Sequence, residues 1–92
     1  MSKTKEFDQA IQCVTQNRQQ VYGDPYTDFG RVADMQAVLA DCPDPRIRHV
    51  LYMICVKVCR LVETPGHVDS WIDIAGYART GVMCLDTAEL SR

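Results

Sequence analysis

The sequence predicts an all-α protein, a four-helix bundle-like arrangement of antiparallel hairpins. Apolar residues recur at spacings of three and four along four segments, as in amphipathic helices. Clusters of Gly, Pro and Asp separate these segments, at Gly23–Pro25, Asp41–Pro45 and Thr64–His67. Joints this short require consecutive helices to fold back beside each other. No alternating pattern typical of strands competes with this interpretation.

We expect one helical domain over residues 1–92, with helices at about 4–21, 25–40, 45–63 and 69–85. Asp24–Pro25 and Asp44–Pro45 each place an acidic N-cap before a proline at the first helical position. These two pairs therefore mark where the second and third helices begin. Gly23 is suited to the left-handed conformation that ends the first helix.

The fourth helix carries an apolar stripe that we expect to face the core, with Trp71 beside it. The stripe consists of Ile72, Ala75, Ala78, Val82 and Leu85. Gly76 lies within this helix, where glycine costs about 1 kcal/mol relative to alanine. We therefore expect another helix or a ligand to approach closely there. The tail after Leu85 is expected to fray.

Size and composition favour an oligomer in a reducing compartment. A chain of 92 residues buries too small a core to be very stable alone, and 47% of its residues are hydrophobic. Its five cysteines are an odd number without a Cys-x-x-Cys pair, which argues against a secreted disulfide framework. We expect a homo-oligomer in the cytoplasm.

Charge and hydropathy exclude two classes of partner. The formal net charge is −2 and there is no basic stripe, so DNA and RNA are not expected to bind. The polar N-terminal residues do not resemble a signal peptide. The longest apolar run is far shorter than the roughly 20 residues of a membrane span. We therefore expect no membrane association.

Lys57 and Arg60 form a cationic pair near the end of the third helix, three residues apart on one face. A guanidinium fork with a mobile ammonium is suited to binding phosphate. The alternative is that both are solvated cations at the edge of a core helix.

Asp69, Asp73 and Tyr77 follow at intervals of four and form one ridge of the fourth helix. One interpretation of Asp69 is that it serves only as the N-cap of this helix. In an antiparallel hairpin, both carboxylates would start near the place where Lys57 and Arg60 end the third helix. They could then bind a ligand together with the cations, or simply pair with them.

Four elements in this order together resemble a family of small phage proteins. They are Arg18-x-x-x-Tyr22-Gly23-Asp24-Pro25, Phe29, Lys57-x-x-Arg60 and Asp69-Ser-Trp-Ile-Asp73-Ile-Ala-Gly76-Tyr77-Ala78. That family is similar in outline to the MazG-like all-α NTP pyrophosphatases, which are helical oligomers. Those enzymes hold magnesium through clustered acidic residues and cleave nucleoside triphosphates.

The chain departs from the MazG-like pattern where those enzymes would hold the metal. Lys57 and Arg60 stand where their third helix carries glutamates. Their Glu-x-x-Asp motif would fall at Ser70 and Asp73, so only Asp73 matches. Two cations repel Mg²⁺, which is held by carboxylates and substrate phosphates, but attract phosphates directly. The resemblance therefore implies a nucleotide pocket, and the departures from the pattern argue against hydrolysis.

We expect a phage-type protein, in the host cytoplasm, that sequesters a phosphate-containing nucleotide without turnover and without a cofactor. An ADP-ribose-type or cyclic nucleotide immune signal fits this role. The expected ligand-binding residues are Arg18, Tyr22, Asp24, Lys57, Arg60, Asp69, Asp73 and Tyr77. Two alternatives remain: a divergent pyrophosphohydrolase that binds Mg²⁺ through Asp69 and Asp73, and a structural or protein-interaction bundle.

Overall fold

The computed structural model describes residues 2–11 and 23–90. They contain four helices: α1 Lys3–Ile11, α2 Pro25–Leu39, α3 Pro45–Glu63 and α4 Val68–Leu90. No strand occurs within these ranges, which confirms the all-α class. The rest of the first predicted helix lies outside the described residues. The expected end of the fourth helix near Leu85 is wrong, because α4 continues to Leu90.

The N-caps predicted at Asp24 and Asp44 are confirmed, whereas the N-cap role considered for Asp69 is wrong, because α4 already begins at Val68. The Asp24 carboxylate accepts hydrogen bonds at 3.1 Å from both the backbone N–H and the hydroxyl of Thr27. The Asp44 carboxylate accepts from the backbone N–H of Arg46 at 2.8 Å. Each acid satisfies an N–H group that has no partner inside its own helix, so the starts of α2 and α3 are fixed locally.

The connection between α2 and α3 is fixed by one backbone carbonyl. The carbonyl oxygen of Cys42 accepts from Arg48 Nε at 3.0 Å and from Arg48 Nη2 at 2.7 Å. Arg48 lies in the first turns of α3, so its guanidinium ties the loop to the helix that follows.

Consecutive helices pack antiparallel. In α2 and α3, Arg31 pairs with Glu63, while Met35, one turn further along α2, meets Cys59, one turn earlier in α3. In α3 and α4, contacts also run in opposite directions along the two helices, since Lys57 meets Asp73 and Val50 approaches Gly81.

The core is small. Val32, Val56 and Cys59 form its buried cluster, and Met35 and Tyr52 pack against it half-buried. All five belong to α2 and α3. Helix–helix packing in the described part of the chain joins α2 to α3 and α3 to α4, and α1 packs against none of these helices. None of the described helices combines the length and apolar character needed to cross a membrane.

The apolar stripe of α4 faces away from the chain, and the expectation that it faces the core is wrong. Ile72, Val82 and Leu85 are 59%, 57% and 53% exposed. We call the surface of Trp71, Ile72, Ala75, Ala78, Val82 and Leu85 the outward face of α4. Periodicity identifies residues that share a helix face, but it does not identify what that face meets.

The opposite side of α4, which packs on α3, is formed mostly by small and polar residues, with Ile74 as the aliphatic exception. It comprises Ser70, Asp73, Ile74, Tyr77, Gly81 and Cys84, all buried or half-buried. Gly81 lets the helices come close, since a Cβ atom there would lie 3.4 Å from Val50 Cγ1. Gly76 is exposed, and no described residue lies within 4 Å of an added Cβ atom, so none of them makes the close approach expected there.

Candidate functional site

An ion pair joins α3 and α4 near their connecting turn. Lys57 Nζ lies 2.9 Å from Asp73 Oδ2, and the two side chains are 13% and 45% exposed. The antiparallel hairpin thus brings one predicted cation of α3 against one predicted carboxylate of α4. Direct pairing is also what the structural-bundle alternative expects for these residues.

The other predicted site residues are distributed around this pair. Arg60 is half-buried one turn later in α3, and its Nε is shielded from solvent. Tyr77 is half-buried one turn after Asp73, whereas Asp69 is exposed in the first turn of α4. Asp24 is occupied as the N-cap of α2. Arg18 and Tyr22 lie outside the described residues.

A second ion pair, not anticipated from the sequence, joins α2 to the end of α3. Arg31 Nη1 lies 3.1 Å from Glu63 Oε2, and both side chains are partly exposed. Glu63 also covers Gly23, where an added Cβ atom would lie 2.7 Å from Glu63 Cδ. Gly23 has a φ of 74°, which confirms the predicted left-handed conformation.

Asp28 is a buried residue, and one of its two carboxylate oxygens accepts no hydrogen bond from the described part of the chain. It is 3% exposed, and no described residue donates to its Oδ1. A buried polar atom left unsatisfied costs about 1–3 kcal/mol, so this oxygen needs an explanation. Asp28 was missed from the sequence although it stands four residues before the core residue Val32 and shares its helix face.

The charges of Asp28 and Arg31 both act on the Cys59 thiol of α3. Burial raises the pKa of this thiol, and the carboxylate of Asp28 and the nearby Cys55 raise it further, while Arg31 lowers it. Burial likewise raises the pKa of Cys55. Asp28 and Arg31 therefore both lie within electrostatic reach of Cys59, the residue before Arg60, and Arg31 also pairs directly with Glu63.

The buried thiols predict a loss of stability in alkali. Because their pKa values are raised in the folded protein, the unfolded chain loses these protons first as the pH rises. Their contribution is fully present below about pH 8.5, where a free thiol ionises, and declines above it. We expect urea midpoints to fall more between pH 7.5 and about 9.5 in the parent than in a Cys55→Ala/Cys59→Ala variant. An equal fall in both proteins would contradict this assignment.

A groove of about 630 Å³ lies at the other end of the α2–α3 hairpin, away from Lys57 and Asp73. It is lined by Gln36, Leu39, Ala40, Pro45, Arg48, His49 and Tyr52. None of the predicted ligand-binding residues that the structure describes lines it. Within the described ranges, no group of three or more His, Cys, Asp or Glu side chains is placed to hold a metal ion.

Residues 6–84 match the family model described as Domain of unknown function (DUF6378). Because the match covers most of the chain, the protein belongs to this family. No curated protein and no solved structure matches the chain.

Proposed function

We propose that this member of the DUF6378 family is a phage-type, cytoplasmic homo-oligomer that binds a phosphate-containing nucleotide between its helical hairpins without turning it over. The ligand class fits an ADP-ribose-type or cyclic nucleotide immune signal, which the protein would sequester in the host cell. The resemblance to the MazG-like enzymes supports a nucleotide ligand, and the cations on α3 favour binding over hydrolysis.

Lys57 is the residue on which this proposal chiefly rests. Its side chain is only 13% exposed, and its ammonium is held at the junction of α3 and α4 by a carboxylate that is itself 45% exposed. A phosphate arriving from the Asp73 side would offer the ammonium several charged oxygens in place of one carboxylate. Arg60, half-buried one turn away, supplies a guanidinium suited to the same anion.

Asp28 supports the proposal from the α2 side. Its buried Oδ1 could accept a hydrogen bond from a base amine or a ribose hydroxyl of the ligand. Hydrogen bonds to charged groups contribute about 1.5–3 kcal/mol each. A site combining phosphate-binding cations with a carboxylate acceptor has the polar groups that a nucleotide requires, and Tyr77 could stack on the base or hydrogen-bond to the ribose.

The observed Lys57–Asp73 pair favours one alternative, a structural or protein-interaction bundle in which the charges only hold α3 to α4. The pyrophosphohydrolase alternative would require Asp69 and Asp73 to bind Mg²⁺, and Asp73 is already paired with a cation. The three functions differ in whether a nucleotide binds and whether it is cleaved.

Lys57→Ala and Arg60→Ala should each weaken nucleotide binding by at least about tenfold, because each removes a charge-assisted contact to phosphate. The helical content should stay near normal. Arg46→Ala is the matched control, since Arg46 is an exposed cation in the first turn of the same helix. Calorimetric titration of all four proteins measures the effect, after a thermal-shift screen of nucleoside triphosphates, cyclic nucleotides and ADP-ribose, with and without magnesium.

The same screen separates the three functions. A bound nucleotide recovered unchanged after long incubation with magnesium supports the proposal. Release of pyrophosphate or a monophosphate supports the enzyme alternative. No thermal shift with any nucleotide, or equal affinity in the Lys57, Arg60 and Arg46 variants, contradicts the phosphate-binding role of α3.

A further inference from the structure

We infer that a second copy of this chain covers the outward face of α4, in an antiparallel helix pair centred near Ala78. This inference concerns how copies associate, goes beyond ligand binding and does not depend on it. Three observations lead to it: the exposure of the apolar stripe, the openness of the single chain, and the order of large and small residues along the stripe.

The outward face of α4 is a continuous apolar surface. Trp71, Ile72, Val82 and Leu85 are each more than half exposed, and Ala75 and Ala78 between them are exposed as well. Single exposed apolar residues are ordinary, but an apolar stripe running along several helical turns marks an interaction surface. Burial of such a stripe against another apolar surface is favourable, because it removes apolar area from water.

The single chain is too open to be a compact monomer. Its accessible surface is 7152 Å², whereas a compact protein of 10.4 kDa exposes about 5,400 Å². Its radius of gyration is 16.5 Å, against about 12 Å for a compact chain of this length. The outward face of α4 and the unpacked α1 both contribute to this openness.

The excess area is of the size that a partner subunit covers. It amounts to about 1,750 Å², and each subunit of a stable homodimer covers about 1,000–2,500 Å². The area that the single chain leaves open is therefore enough for an interface with a second copy. The outward face of α4 is the part of that surface where apolar residues follow one another along a single helix.

The stripe is also complementary to itself. Trp71, Ala75, Ala78, Val82 and Leu85 alternate at spacings of four and three, the heptad spacing of paired helices. In an antiparallel pair centred on Ala78, the small Ala75 of one copy meets the larger Val82 of the other, and the two Ala78 residues meet each other.

A parallel pair fits less well. It would place Trp71 against Trp71, and Ala75 and Ala78 against the same two alanines of the other copy. A gap would then remain at the alanines, between the contact of the two tryptophans and that of the two Val82 side chains. Close packing favours large side chains beside small ones. The antiparallel pair achieves this where Ala75 meets Val82. It also has Trp71 facing Leu85 at each end, so it is the better match. A two-fold axis near Ala78 makes this interface the same on both copies.

Sedimentation and tryptophan fluorescence test the association. Trp71 is the only tryptophan and is 57% exposed in the single chain. We expect a dimer or a multiple of it at tens of micromolar, and a red shift of the tryptophan emission on dilution as Trp71 becomes exposed. A protein that sediments as a monomer at about 100 µM would overturn the inference, because no second copy would then cover the outward face of α4.

Val82→Asp should raise the dissociation constant of the dimer by at least about 100-fold, because each copy would bury an unpaired charge. Val38→Asp is the matched control: Val38 is 75% exposed on α2, and the dimer should persist. Equal dissociation of both variants would place the interface elsewhere and overturn the inference.

Cysteine crosslinking tests the orientation without introducing a charge. Under mild oxidation, Ala78→Cys should give a disulfide-linked dimer in higher yield than Ala75→Cys, measured against the parent with its native cysteines. An antiparallel pair separates the two Ala75 positions along the helix axis. No crosslink above the parent at position 78, or equal yields at 75 and 78, would contradict the antiparallel pair centred there.

Discussion

Asp28→Asn is expected to raise the free energy of unfolding of the ligand-free protein by about 1–3 kcal/mol and to weaken nucleotide binding. Asp28 is 3% exposed, and its Oδ1 has no donor among the described residues. Asparagine keeps the shape of the side chain but removes a buried negative charge, one oxygen of which receives no hydrogen bond from the described residues. Urea denaturation measures the first effect and calorimetric titration the second.

Opposite changes in stability and binding would identify Asp28 as a group retained for a ligand. Asp34→Asn is the matched control, because Asp34 is an exposed carboxylate on the same helix and should change unfolding by less than about 0.5 kcal/mol. A loss of stability in the Asp28 variant would mean that the charge stabilises the fold. Unchanged affinity would remove Asp28 from the proposed site.

Gly23→Ala is expected to lower the free energy of unfolding by about 2 kcal/mol. With φ at 74°, the backbone of Gly23 is left-handed, which costs an alanine about 1–2 kcal/mol. The new Cβ atom would also lie 2.7 Å from Glu63 Cδ, so Glu63 would have to move and loosen its pair with Arg31. Urea denaturation followed by circular dichroism measures the loss.

Gly30→Ala provides a control with the opposite sign. Gly30 lies inside α2, and nothing lies within 4 Å of an added Cβ atom. Alanine is favoured over glycine in a helix by about 1 kcal/mol, so this variant should be more stable than the parent. If both variants shifted stability in the same direction, the conformation at Gly23 would not explain the result.

The boundaries of α2 and α3 were predictable because their signals are local. Asp24 and Asp44 act on N–H groups within three residues of themselves, and the prolines that follow need no tertiary partner. Which side of α4 packs on α3 was not predictable in the same way. Its most apolar stripe was assigned to the core, but the face that packs on α3 is the one whose small residues allow a close approach.

The candidate site was predictable only in part, for a related reason. The proximity of Lys57 and Asp73 could be predicted from the sequence, because a short turn fixes the register of an antiparallel helical hairpin. The pair of Arg31 with Glu63 joins residues 32 positions apart, and its formation depends on how α2 lies on α3. In the sequence, Asp28 does not differ from an ordinary surface acid, because its burial depends on how α2 packs.

The link between Arg48 and Cys42 has a consequence for sequence change in this family. Arg48 donates to a main-chain oxygen, which every amino acid supplies, so as far as this link is concerned position 42 can vary freely. An inserted or deleted residue in the segment between them would instead carry that oxygen out of reach. The fold thus constrains the length of this loop more strongly than its composition.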